Sequence, residues 1–386
     1  MKYFLFSPLL LLTALDAKPV LENQSCKVCH PQIYQEYQNS MHSKSSIYKD
    51  ILHKAVWDKH PAKAKGEYSC AKCHTPSDHQ LMNGKSQLAD NPTQQSEPIS
   101  CQLCHQIESI EKHAKSNKNI FTSKDKHFFS ANKEKKGEKI KFKQESRFFG
   151  LLTIQSGSPH HSIDYSNENY YNGDACMGCH SHKQNAKGFI VCDMEVKQGD
   201  SKETCISCHM PKVQGSLANH KESPSHAFHG LSIHNSPAQT LAKYVKLTLD
   251  QQANAFDIMI KNEATHALFP QPLRLAQLRV NIEREGKTIP LKTESFVKII
   301  GTTGKMSMPW LADSIISDNS IKALETRKIH YDITLQKTDK LIVVFGYYVI
   351  SPKIAKKLNI TDKETIKFIP LTSKRFILLE TSEQDK

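Results

Sequence analysis

The chain has 386 residues and a formal charge of +13, with 24% charged against 38% hydrophobic residues. The length suffices for two domains, and no apolar run beyond the first 17 residues approaches a membrane span, so the mature chain is expected to be soluble. The basic balance comes without any nucleic-acid recognition motif, so nucleic-acid binding is not inferred from it.

In chain order, Met1 to Ala17 read as an export signal. One lysine precedes an uncharged, largely apolar run from Tyr3 to Leu15 that is too short to span a bilayer, and small residues close it, with cleavage expected after Ala17. A retained N-terminal anchor is the alternative reading of the same run.

The stretch from Cys26 to His209 repeats one pattern five times: Cys26, Cys29 and His30; Cys70, Cys73 and His74; Cys101, Cys104 and His105; Cys176, Cys179 and His180; Cys205, Cys208 and His209. Each is C-x-x-C-H, the attachment signature of c-type haem. On one helical turn, residues three and four apart share a face. Two thiols so placed reach the two vinyl groups of one macrocycle, and the adjacent imidazole reaches the iron as proximal ligand. Redox C-x-x-C pairs, disulfides or zinc would not need a histidine after every motif. Starts separated by 44, 31, 75 and 29 residues also fit no zinc-ribbon pairing. Five covalently bound haems are therefore expected. Ten ionised propionates would lower the net charge to about +3, a mildly basic holoprotein. Haem attachment on the exported side of bacterial membranes agrees with the signal and points to a periplasmic address, with association at the membrane left open. Ten of eleven cysteines are used by the motifs, leaving Cys192. It reads either as a buried inert thiol between the fourth and fifth haems or as an interchain cysteine.

Between the motifs, residues 33 to 57 show helical spacing, with Tyr34, Tyr37, Met41 and His42 three or four apart. Lys112 to Lys143 holds eleven lysines and three acids, read as a solvated insertion or as a docking surface for an acidic redox partner. With under 40 residues per haem, this half cannot build a conventional core, so an α plus irregular domain is expected in which haems form the core. It is expected to span residues 18–235. The composition changes near Ser236-Pro237, and residues 236–386 read as an all-β antiparallel sandwich. Its candidate strands are Leu241 to Leu249, Ala255 to Lys261, Leu275 to Glu283, Thr293 to Ile300, Thr326 to Leu335, Leu341 to Val349 and Arg375 to Glu380. Turns are expected at 285–287 and 337–339, and a short helix over Pro352 to Leu358.

Several segments carry a resemblance. NSMHSKSS at 39–46, EPISCQLCHQI, SGSPHHSIDYSNENYYNGDACMGCH, TCISCHMP with the later SPSHAFHG, and IKNEATHALFPQPLRLAQLRVNI are similar to the superfamily of bacterial multihaem c-type cytochromes that includes the tetrahaem electron acceptor of hydroxylamine oxidoreductase. The likeness spans most of residues 22 to 335, and departs from the family in the lysine-rich stretch and at Phe269-Pro270-Gln271. It implies distal ligands at His42, at His160 or His161, at His226 with His229 as competitor, and at His266 from a loop of the β domain. A fifth is left among His53, His60, His79, His113 and His127.

The expected function is electron transfer through closely packed, mostly bis-histidine haems in a respiratory chain, between a quinol-linked donor and a periplasmic reductase or oxidase. The alternative is an oxidoreductase acting on a small nitrogen or sulfur oxyanion or hydroxylamine at one open-coordinate haem. No C-x-x-C-K is present, which lowers a nitrite-reductase reading, and no catalytic set is assignable. Tyr165, Tyr170 and Tyr171 read either as pocket lining or as packing against haem.

Overall fold

The computed structural model describes residues 22–78, 96–149, 151–197, 202–219, 223–231 and 241–378. The expected signal at 1–17, His79 and the expected boundary at Ser236-Pro237 lie outside the described residues.

The N-terminal half is poor in regular helix. Expected helical residues 33 to 57 fall into two helices, Pro31–Asn39 and Ile51–Lys59, with one 3-10 turn, His42–Lys44, between them. Serines make the break: Ser43 donates to the carbonyls of Gln38 and Ser40, offering the backbone a non-helical alternative. Asp50 restarts the helix by accepting from the backbone N–H of His53 at 3.0 Å. The lysine-rich stretch is more structured than a solvated insertion. Its lysines are mostly exposed, but it contains strands Lys118–Phe121 and His127–Phe129, and buries Phe129.

The C-terminal half is largely antiparallel β. One sheet joins Val245–Gln251, Phe256–Asn262 and Thr326–Tyr331. A second orders Lys287–Pro290, Leu275–Arg284, Lys340–Tyr348 and Phe368–Ile377, with Glu294–Phe296 also on Leu275–Arg284. A third places Lys298–Thr302 between Lys305–Met306 and Ser314–Asp318. Period-2 alternation sends Leu278, Val280 and Ile282 of one strand and Leu341, Val343 and Phe345 of its neighbour to one face, each at most 1% exposed. Val245, Phe256, Ile258 and Ile260 of the first sheet join the same apolar cluster. The short strands at 287–290, 305–306 and 314–318 carry little apolar signal, and the sequence pattern passes over them.

The halves meet through packed and polar contacts. Leu52, Ala55 and Val56 pack on the cluster of Ile350, Ile354 and Leu358. Asn185 donates from Nδ2 to the carbonyls of Pro309 and Ala312, at 2.9 and 2.6 Å. The Lys197 N–H donates to Thr265 O at 2.6 Å, directly beside His266. Among the described residues, no helix is long and apolar enough to cross a membrane.

Candidate metal centres

Each attachment motif forms a single helical turn. In the first two, the His30 N–H donates to Cys26 O at 2.8 Å and the His74 N–H to Cys70 O at 2.9 Å, so both thiols and the imidazole share one face. The third turn, Cys101–His105, is capped by Ser100, whose hydroxyl accepts from the Leu103 N–H. The fifth, Cys205–His209, carries a capping box between Thr204 and Ser207. Such short helices are marginal alone, so these caps help define the turn that aligns Cys, Cys and His.

Every motif histidine faces a second imidazole from a distant segment. Ring centres are 6.3 Å apart for His30 and His161, 6.0 Å for His180 and His42, 6.3 Å for His105 and His229, and 6.3 Å for His209 and His266. Two imidazoles bound through nitrogen at about 2.0 Å on opposite sides of one metal place their centres roughly 6 Å apart. These four pairs therefore fit a single six-coordinate iron between each. The pair of His74 and His53 is tighter, at 4.0 Å.

Hydrogen bonds select the ligating nitrogen. Nδ1 lies against a backbone carbonyl in His30 (Leu217, 2.7 Å), His105 (Phe129, 2.7 Å), His229 (Ala227, 2.7 Å), His53 (Ser45, 2.9 Å) and His266 (Ala267, 2.9 Å). A carbonyl only accepts, so Nδ1 carries the proton and Nε2 is left as the metal-binding atom, except in His53, whose Nε2 lies 3.3 Å from the Tyr68 hydroxyl. Burial pushes His42, His161, His209 and His229 down to about 4 and His74 to about 3, with repulsion from the facing ring adding to it. These five imidazoles are thus neutral, the form that ligates metal.

Among the described residues, the other expected ligands lie elsewhere. His226, expected as a ligand, is fully buried but holds Gly215 O with Nδ1 at 3.0 Å and Glu36 with Nε2 at 2.9 Å. Its competitor His229, three residues on, is the one opposite His105. His160 is exposed and His161 takes the place opposite His30. Of the five candidates left open, His53 faces His74, whereas His127 is held between Ser162 and Asp164, His113 Nδ1 accepts from the Lys115 N–H and His60 sits between Trp57 and Trp310. Tyr170 and Tyr171 donate to Cys104 O, and to Asn132 O and Tyr165 O, which ties them to the frame rather than freeing them to line a pocket. Cys192 is half-buried on a strand paired with His182–Gln184, and burial raises its thiol.

Two positioning residues escaped the sequence reading. Glu36 accepts from the His229 N–H at 2.9 Å with one oxygen and holds His226 with the other. Asn262, fully buried, donates to His266 O at 2.9 Å and to Lys322 O at 2.8 Å, fixing the loop that carries His266. The unusual Phe269 anchors the other end of that loop, its ring 4.1 Å from that of Tyr347. The signal for Asn262 was its place at the end of an apolar strand, where a buried amide needs partners. Glu36 had none, because its partners lie about 190 residues away.

The motifs also touch one another. The thiols of Cys26 and Cys101, of Cys73 and Cys179, and of Cys176 and Cys205 lie close enough to influence one another's titration. These contacts bring the first motif to the third, the second to the fourth and the fourth to the fifth. Tyr170, just before the fourth motif, links to the third through Cys104 O.

Residues 25–106, which include the first three motifs, match the family described as cytochrome c554 and c-prime. The fold matches the crystal structure of a penta-heme cytochrome c552 from Thermochromatium tepidum with a TM-score of 0.70, covering 93% of this chain and 99% of that one at 19% identity. Comparison with curated proteins returned no match. These findings support a multihaem c-type cytochrome. The chain carries ten motif thiols and, among the described residues, five facing pairs of imidazoles.

Proposed function

We propose that the chain is an exported, periplasmic pentahaem electron carrier whose haems are mostly bis-histidine ligated and form the core of the N-terminal half, capped by a β-sandwich. The residues that would hold the irons are His30 with His161, His74 with His53, His105 with His229, His180 with His42, and His209 with His266. Bound haem supplies one-electron redox chemistry. The chain's residues attach, ligate and orient it. Backbone carbonyls hold each anchored imidazole through Nδ1, and loops such as Asn262 to His266 deliver the second ring from afar. The contacts between motifs favour a continuous conduit over isolated centres, since neighbouring attachment points imply neighbouring macrocycles. Partners are a quinol-linked donor and a periplasmic reductase or oxidase of a respiratory chain.

The observation that carries this reading is the second imidazole opposite every motif histidine. An enzyme of this kind needs a vacant iron face with acids or bases around it, and no facing position is left without a ring. The test is EPR and near-infrared magnetic circular dichroism of the ferric protein, with haem counted by pyridine haemochrome. Five low-spin haems, unmoved by nitrite, hydroxylamine or cyanide, are expected. A high-spin haem that binds one of these ligands would sink the carrier reading and favour the oxyanion or hydroxylamine oxidoreductase. The site of His74 and His53 is where it would be sought, because those rings must separate by about 2 Å to admit iron.

A further inference from the structure

The strands Lys143–Arg147 and Leu152–Ser156 form a hairpin on which every residue is exposed. Its hydrogen bonds close on themselves: the ladder, Gln155 to Gln144, Arg147 to Glu145, and the Leu151 N–H to Phe148 O. Its base is closed tightly, since a Cβ on Gly157 would lie 2.7 Å from Lys141 O. At the tip, Phe148 is 71% exposed, Phe149 108%, Leu151 89% and Leu152 47%. Phe148 and Phe149 also adopt φ of 53° and 54°, a left-handed conformation that costs free energy for non-glycine residues. A two-stranded hairpin with no supporting layer is marginal in water, and contiguous exposed apolar groups mark an interaction site. Two strained phenyl groups and two leucines held out on such a hairpin are therefore not explained by folding.

The charges around the tip say what it meets. Lys141 and Lys143 lie at the hairpin's base and Arg147 at its turn, with Glu145 as the one acid on the two strands. The preceding segment adds exposed Lys133 beside exposed Glu134. A second copy of the same basic hairpin would be repelled. An apolar tip ringed by cations is complementary to a surface that is anionic outside and apolar within.

We propose that this hairpin docks the protein on an anionic lipid surface, with Phe148, Phe149, Leu151 and Leu152 entering the boundary between headgroups and acyl chains and Lys141, Lys143 and Arg147 meeting lipid phosphates. Aromatic and aliphatic side chains with flanking cations bind membranes in this way without spanning them. A hairpin of five-residue strands reaches about 17 Å, enough for its tip to enter the membrane while Lys141 and Lys143 at its base stay at the level of the headgroups.

The test is co-sedimentation of the haem-loaded protein with vesicles of phosphatidylcholine and phosphatidylglycerol in equal parts, against pure phosphatidylcholine. Binding is expected only to the anionic vesicles, weakening with salt. The double substitution Phe148→Ser and Phe149→Ser should lower the partition coefficient about tenfold or more, and each of Lys141→Gln, Lys143→Gln and Arg147→Gln roughly fivefold. Haem count and low-spin spectra should stay those of the parent. Absence of vesicle binding, or equal binding to both vesicle types, overturns the proposal. So does a change of haem spectrum in the double variant, which would place the tip on a haem. A dimer in sedimentation velocity that the double variant dissolves would assign the tip to a second copy instead.

Discussion

The two halves bury themselves by opposite means. In residues 245–378, strands alternate in register and side chains such as Leu278, Phe345 and Tyr347 reach 0% exposure within one apolar cluster. In residues 22–231, the only apolar cluster among the described residues is Trp57, Tyr68 and Ala71. Other buried apolar residues, such as Tyr37, Ile107 and Phe129, join no such cluster, and between them lie half-buried cysteines from different motifs and facing imidazoles kept neutral by burial. A chain segment that encloses titratable rings without an apolar core needs another partner to offset the entropy of ordering them. In the proposed holoprotein that partner is haem.

The widest separation between the halves should come from preventing attachment. Made without haem ligation, or with the ten motif cysteines changed to alanine, the chain is expected to lose the order of its N-terminal half while the β half persists. Limited proteolysis should leave a resistant fragment starting near residue 240. Digestion of the whole chain at one rate would show that the β half depends on the haem half for its fold.

Next in size is the buried pair of Glu36 and His226. The His226 side chain is fully buried and that of Glu36 is 13% exposed, so removing the carboxylate strands a buried imidazole and frees the His229 N–H. Glu36→Ala is expected to cost about 3 kcal/mol in denaturant unfolding and to disturb one low-spin EPR signal. Glu36→Gln, which keeps an acceptor for His229, should leave that signal nearer the parent. A variant with parent stability and five unaltered signals would remove Glu36 from any positioning role. His226→Ala separates the two histidines further: it should destabilise without producing a high-spin haem, whereas His229→Ala should produce one.

A smaller, local effect joins the halves. His266 comes from the β half yet faces His209. His266→Ala should convert one haem of five to high-spin, binding cyanide, with the sheets intact by far-ultraviolet circular dichroism. Asn262→Ala, which loosens the loop rather than removing the ligand, should give a mixture of the two spin states. Five low-spin haems in His266→Ala would detach the β half from the redox site.

Local patterns were legible in the sequence and distant ones were not. The attachment motifs could be read because i, i+3 and i+4 are fixed by one helical turn. Strands such as 275–284 could be read because their inward residues alternate. The choice of His229 over His226 could not, because strand Ser225–Ala227 turns His226 toward Gly215 and Glu36, and the latter lies 190 residues away. His161 over His160 was undecidable for the same reason, adjacent residues differing only in which segment they face. The lysine-rich stretch misled through composition: between its exposed lysines it supplies Phe129 O to His105 and Asn119 Nδ2 to Cys179 Sγ, at 2.7 and 3.5 Å.

The weakest expected effect lies in the β half and depends on pH. His330 places Nδ1 2.7 Å from Asp257 and Nε2 2.9 Å from Asp332, and Asp257 also meets Lys328 at 2.6 Å. Hydrogen bonds to Asp257 and then Asp332 raise the imidazole above its ordinary value near 6.5. A group whose folded value is raised stabilises the fold fully below its unfolded value and loses that contribution as pH rises through the folded one. Lys328 keeps Asp257 paired, and low in its own titration, after His330 has lost its proton, so the loss should be modest. Amide exchange in the paired strands Phe256–Asn262 and Thr326–Tyr331 should show lower opening free energy at pH 9 than at pH 6, after correction for the intrinsic rate. His330→Gln should flatten that difference by lowering stability at pH 6 only. An equal pH dependence in the variant would place the sensitive group elsewhere and leave His330 as a surface residue between two carboxylates.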